Sequence, residues 1–92
     1  MGMFNRQSSS ANDQATSREL EQRAKEAYRQ YRTAAKARDA AAVALDQAET
    51  SGAPHGEIAA ARSAFATCST RMRAAMETSH EAAVQRHAHR GQ

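Results

Sequence analysis

Tryptophan is absent from this chain of 92 residues, and proline, cysteine and glycine are scarce. With one proline and four glycines, long stretches contain nothing that would interrupt a helix. The single cysteine, Cys68, excludes an internal disulfide and leaves no thiolate cluster for a metal, which favours a reducing compartment. These absences predict a cytoplasmic protein built from long helices.

Large apolar side chains are also few, although 40% of the residues are hydrophobic. Alanine supplies most of that fraction, beside three Leu or Ile, two Val, two Phe, two Tyr and four Met. This is too little bulk for a globular core, but it is enough for a narrow seam between two helices. No stretch reaches the ~20 apolar residues of a membrane span, and the first residues lack a secretory hydrophobic region, so no membrane partner is expected.

A regular spacing of small and apolar residues runs through two segments of the chain. The residues recur at alternating intervals of four and three, which predicts one buried stripe on each of two helices. The exception is Arg38, which is expected to lay its alkyl stem beside Cys68 and to extend its guanidinium into water. The first stripe is Leu20, Ala24, Ala27, Tyr31, Ala34, Arg38, Ala41, Leu45 and Ala48, and the second is Ile58, Ala61, Phe65, Cys68, Met72, Ala75, Ser79, Ala82 and Arg86.

Start and stop signals delimit the two helices. Thr16 and Glu19 fit a capping box at the start of the first helix. Gly52 suits a left-handed helix end, and Pro54 suits the first turn of the next helix. The predicted organisation is a flexible tail at residues 1–15, a hairpin at 16–88 with helices at about 17–49 and 57–88 around a turn at 50–56, and a C-terminal tail at 89–92.

Folding the chain at this turn places large seam residues opposite small ones. Ala41 then faces Phe65, and Ala34 faces Met72. Such complementarity lets two helices pack closely. It predicts an all-α fold, a two-helix antiparallel coiled-coil hairpin with an alanine-rich heptad seam. The seams could instead pair between chains, and two hairpins could dimerise into a four-helix bundle.

One flank of the predicted hairpin is more apolar than a solvated surface requires. It consists of Tyr28, Ala35, Ala42, Met76 and Ala83. These residues are either ordinary helix formers with single exposed apolar side chains, or an interface for a second copy or a partner helix. The second interpretation predicts a non-enzymatic adaptor or assembly protein whose partner is another protein or a second copy of itself.

Basic residues are concentrated near the middle of the predicted rod. The net charge is +3, and residues 18–38 carry seven Lys or Arg against three Glu. The alternative function is therefore the binding of nucleic acid or another anionic ligand through phosphate contacts. The predicted contact residues are Arg29, Arg32, Lys36, Arg71 and Arg73.

Chemistry-bearing residues do not form a recognisable catalytic or metal site. His80 and His87 are two helical turns apart, about 10 Å along the axis, and His89 lies near the chain end. Cys68 is expected to act as a small buried hydrophobe, and no Gly-rich phosphate loop or paired-carboxylate pocket is visible. The sequence predicts no enzyme activity, metal, cofactor or small-molecule substrate. Its alanine- and arginine-rich composition suits a GC-rich bacterial or phage genome.

Overall fold

The computed structural model describes the backbone of residues 2–90 and the side chains of residues 16–90. Two helices, α1 (Gly2–Thr50) and α2 (His55–Arg90), pack against each other in opposite directions. The resulting rod measures 74 × 17 × 14 Å and has a radius of gyration of 21.1 Å, where a compact domain of this length would have about 12 Å. The predicted all-α antiparallel hairpin is confirmed.

α1 begins well before the capping box from which its start is predicted. Thr16 and Glu19 lie inside the helix, because the chain between residues 7 and 19 contains no Gly or Pro that would end it. α1 therefore has 49 residues and α2 has 36, instead of two helices of equal length. The predicted tail comprises residues 1–15, and the side chains of these residues lie outside the described part of the chain. Residues 91 and 92 lie outside it as well.

A left-handed glycine ends α1, as predicted. Gly52 has a φ of 69°. The amide of Ala53 donates to the carbonyl of Ala48 at 3.0 Å, and the amide of Gly52 donates to the carbonyl of Glu49 at 3.3 Å. This pair of hydrogen bonds is the Schellman arrangement, which satisfies carbonyl groups that the last helical turn would otherwise leave without donors.

α2 begins directly after the single proline. The carbonyl of Pro54 accepts the amides of Glu57 and Ile58 at 2.9 and 3.1 Å. Proline fits here because the first amides of a helix have no partner within it. The helix starts at His55, two residues before the predicted start at about 57, and it continues to Arg90.

Alanine at position 52 is expected to lower the free energy of unfolding by about 1 kcal/mol, because a side chain is disfavoured at a φ of 69°. The matched control is Gly56→Ala, where an added Cβ meets nothing within 4 Å. That change is expected to raise stability by about 0.5 kcal/mol. Urea unfolding followed by circular dichroism measures both values, and shifts of the same sign would contradict the different roles of these glycines.

Burial follows the predicted seam along both helices. Every seam residue from Leu20 to Arg86 is buried or partly buried. Among the described side chains, the buried ones are all alanines: Ala24 and Ala27 are 7% exposed and Ala82 is 8% exposed. The seam is therefore thin, because its larger residues stay partly in contact with solvent. The larger apolar residues of the seam are Leu20, Tyr31, Leu45, Ile58, Phe65 and Met72.

The rod exposes much more surface than its mass requires. Its accessible surface is 7272 Å², whereas a compact protein of 10.0 kDa exposes about 5,200 Å². The difference follows from a fold in which two helices of unequal length pack only against each other, so that α1 extends beyond the end of α2. Within the described part of the chain, neither helix contains an apolar stretch of the length that crosses a membrane.

Candidate interaction surface

Two ion pairs join α1 to α2, one near each end of the hairpin. Nε of Arg62 lies 3.9 Å from Oε1 of Glu49 beside the turn, and Arg90 pairs with Glu21 at the open end. Glu21 and Glu49 are four heptads apart on α1, and the two arginines are four heptads apart on α2, so both pairs lie on the same flank. As exposed pairs they contribute little to the stability of the hairpin.

The apolar flank lies between these ion pairs, and we define it as Tyr28, Ala35, Ala42, Met76 and Ala83. Tyr28 is 53% exposed and Met76 is 46% exposed, while the three alanines are partly buried. Tyr28 and Ala83 line one groove that spans the two helices. The other three residues follow at heptad spacing along the same side. All five residues of the predicted interface therefore share one flank.

The charged ends of this flank are not among the predicted site residues. The signal for them was present in the sequence, because Glu21 lies one heptad before Tyr28 and Arg90 lies one heptad after Ala83. Ser69, one heptad before Met76, is partly buried on the same side. Extending the heptad positions of the flank in both directions would have found all of them.

Two further large apolar side chains are exposed away from the apolar flank. Val43 is 57% exposed and Val84 is 51% exposed. Each follows a flank alanine by one residue and therefore points about 100° away from it around the helix. Because their exposure is close to that of Tyr28 and Met76, they are natural controls for substitutions on the flank.

The opposite flank is polar near the open end. Arg23, Gln30, Thr78 and Gln85 line a groove between the two helices there. The neighbouring groove, closer to the middle of the rod, contains Arg71. Polar side chains of this length keep contact with water, so this flank resembles an ordinary solvated surface.

The predicted basic residues fall into two groups. Arg29, Arg32 and Lys36 surround a shallow groove on the outer face of α1, together with Lys25 and Tyr28. This arrangement brings a tyrosine ring next to four basic side chains, which is a combination that phosphate-binding surfaces use.

The remaining predicted basic residues lie on α2. Arg71 shares a groove with Arg29 on the polar flank, whereas Arg73 is exposed three residues before Met76. Arg29 also pairs with Glu26, with 3.1 Å between Nη1 and Oε2, so part of its charge is already balanced. The structure thus brings Arg29, Arg32 and Lys36 together around one groove and places Arg71 beside Arg29 in a second groove. Arg73 lies outside both grooves.

Arg38 differs from its predicted placement. Its guanidinium carbon lies 5.7 Å from the centroid of the Phe65 ring, not simply beside Cys68. Nη1 donates to Asp39 at 3.1 Å, while Nε is buried without a hydrogen-bond partner. The aromatic face attracts the cation, and Cys68 offers no comparable attraction. The guanidinium was expected to extend into water, and it does so only in part, since the Arg38 side chain is 40% exposed.

The histidines of α2 are distributed along the helix. His80 and His87 are exposed, and His89 is partly buried. Within residues 16–90, no three His, Cys, Asp or Glu side chains come together as a metal ion would require. No protein-family model, curated protein or solved structure matches the chain, so its own residues are what indicate its function.

Proposed function

We propose that this chain is a non-enzymatic, cytoplasmic adaptor or assembly protein that binds a protein partner through the apolar flank. The single observation that carries the proposal is the thin seam. Only alanines are buried among the described side chains, so the hairpin leaves its larger seam residues partly exposed. A second helical layer would bury them, as in a four-helix bundle.

The surface available for such a contact has the right magnitude. The rod exposes about 2,000 Å² more than a compact protein of its mass. A standard protein interface buries about 1,600 Å² in total. Because half of that area comes from each partner, covering the apolar flank and the adjacent seam residues would remove about 800 Å² from this chain, which is less than the surplus, without any change in the hairpin.

The apolar flank also has the composition of an interface. Its apolar part extends from Tyr28 to Ala42 on α1, about 21 Å along the axis, and the ion pairs that join the two helices lie at its two ends. Interfaces of stable complexes have an apolar centre with a polar rim. The single cysteine, Cys68, is consistent with a reducing compartment, and cell fractionation of the expressed protein tests the proposed location.

Self-association is the form of this function that the isolated chain can display. Light scattering over a concentration series is expected to give a mass near twice 10.0 kDa that returns to 10.0 kDa in Met76→Glu. The matched control Val84→Glu places the same charge at an equally exposed site outside the flank and is expected to keep the higher mass. A monomer at every concentration, or an equal response of both variants, would contradict association through the flank.

A second candidate function is the binding of an anionic ligand such as single-stranded nucleic acid. The groove in which Lys25, Arg29, Arg32 and Lys36 surround Tyr28 favours it. Fluorescence anisotropy with a labelled oligonucleotide at low salt is expected to show at least about tenfold weaker binding for Arg29→Glu combined with Lys36→Glu. Met76→Glu leaves these residues intact and is the control. A wild-type chain that does not bind at low salt would exclude this function.

A further inference from the structure

The charges at the two ends of the apolar flank restrict what can cover it. Each end holds one ion pair between the helices, Glu21 with Arg90 and Glu49 with Arg62. The four side chains are between 39% and 67% exposed, so their charged groups can take further partners. A complementary surface must therefore offer an acidic and a basic group at both ends and an apolar strip between them.

We propose that this surface is the same flank of a second copy, related by a two-fold axis parallel to the rod, with both turns at the same end. The inference rests on the proposed function and specifies its partner and orientation. In this arrangement α1 of one copy runs along α2 of the other, and residues that already face each other across one hairpin meet again between copies. No shift of one rod along the other is needed.

The two-fold axis turns each ion pair into a cluster of four charges. At the open end, Glu21 of one copy faces Arg90 of the second copy, and the reverse contact follows by symmetry. At the turn end, Glu49 and Arg62 repeat the pattern. Charges of opposite sign alternate around each cluster, so every carboxylate has two basic neighbours. Pairs that are exposed and weak in one hairpin become partly shielded from water in the dimer.

The apolar residues are complementary in the same arrangement. Tyr28 faces Ala83 of the second copy, because these two residues lie at one level of the hairpin and line one groove. One heptad further along α1, Ala35 faces Met76 of the second copy. A large side chain thus meets a small one in both contacts, which allows close packing of the added layer.

The opposite orientation, with the turns at opposite ends, places like charges together. Glu21 would then face Glu49 of the second copy, and their arginines would likewise face one another. Contacts of Lys25 with Asp46 and of Arg32 with Asp39 of the second copy would form in that orientation. All four residues are exposed and lie at the solvated outer edge of the flank, where such pairs contribute little. The charges of the two ion pairs between the helices face the second copy directly, so they favour the orientation with aligned turns.

Spin labels near the turn distinguish the two orientations. Gly56 is exposed and has space for a side chain, so Gly56→Cys in a Cys68→Ser background provides one label for each chain. Aligned turns are expected to place the two labels less than about 30 Å apart, since interaxial distances in a bundle are about 10 Å. Opposed turns place them about 60 Å apart, because each label lies about 20 residues from the middle of the flank.

Charge reversal tests the clusters independently. Glu49→Arg and Arg62→Glu, taken singly, are expected to raise the dissociation constant of the dimer about tenfold at low salt. The double variant restores alternation and is expected to return within about threefold of the wild type. In the opposed orientation each single change would instead strengthen the dimer. Circular dichroism on dilute samples checks that the hairpin itself is retained.

The outcomes separate this inference from the proposed function. A dimer that Met76→Glu dissociates, but whose labels lie about 60 Å apart or whose single charge reversals do not weaken it, overturns the aligned arrangement and leaves the flank as the contact site. A wild-type chain that stays at 10.0 kDa overturns both. Short label distances together with rescue by the double variant support the aligned dimer.

Discussion

Ala82→Glu is expected to open the hairpin and to lower its free energy of unfolding by about 3 kcal/mol. Ala82 is the buried residue in the described part of α2, and it packs in one cluster with Ala24 and Ala27 of α1. A carboxylate there would lose much of its hydration, and the exposed Arg23 that lines the same groove would offset this cost only in part. Because a domain of this size is only marginally stable, a loss of this magnitude removes most of the folded population.

The matched control for this change is Ala74→Glu. Ala74 lies on the same helix and is exposed, so the same substitution keeps its carboxylate in water. We expect it to change stability by less than about 0.5 kcal/mol. Urea unfolding followed by helical circular dichroism measures both variants. Equal losses for the two would show that the alanine cluster does not hold the open end of the hairpin.

Arg38→Leu is expected to raise the free energy of unfolding by about 1–2 kcal/mol, although it removes a cation–π contact. The buried Nε of Arg38 has no hydrogen-bond partner, and such a group costs about 1–3 kcal/mol. Leucine removes that cost and adds apolar contact with Phe65. The losses are the interaction of the guanidinium with that ring, about 0.5–1 kcal/mol, and an exposed pair with Asp39 that contributes little.

The control for Arg38→Leu is Arg29→Leu. The Arg29 side chain is 74% exposed and is not part of the seam, so its replacement is expected to leave stability within about 0.5 kcal/mol. Both variants are measured by thermal and urea unfolding at low protein concentration, where self-association does not contribute. A destabilised Arg38→Leu would mean that the contact with Phe65 outweighs the unsatisfied Nε.

Arg38 also illustrates where the sequence pattern fails. The heptad spacing assigns it to the seam, which the structure confirms. Spacing contains no information about side-chain torsions, so the position of the guanidinium over Phe65 was not predictable.

The start of α1 was the least predictable boundary. A capping box at Thr16 is a valid start signal, but it does not prevent a helix from continuing on its N-terminal side. The residues before Thr16 disfavour a helix only weakly, and α1 begins at Gly2. The turn was predicted more accurately because Gly52 and Pro54 impose backbone conformations that few other residues adopt.

The sequence by itself determined the two helices, the turn and the face of each helix that is buried, because a repeat of alternating three and four residues keeps one stripe on one side of a helix. Only the tertiary structure decided which charged residues meet across the hairpin. Periodicity assigns a residue to a face, but the level at which two faces meet depends on how the turn joins the helices. That level brings Glu21 to Arg90 and Glu49 to Arg62, and so limits the apolar flank at both ends.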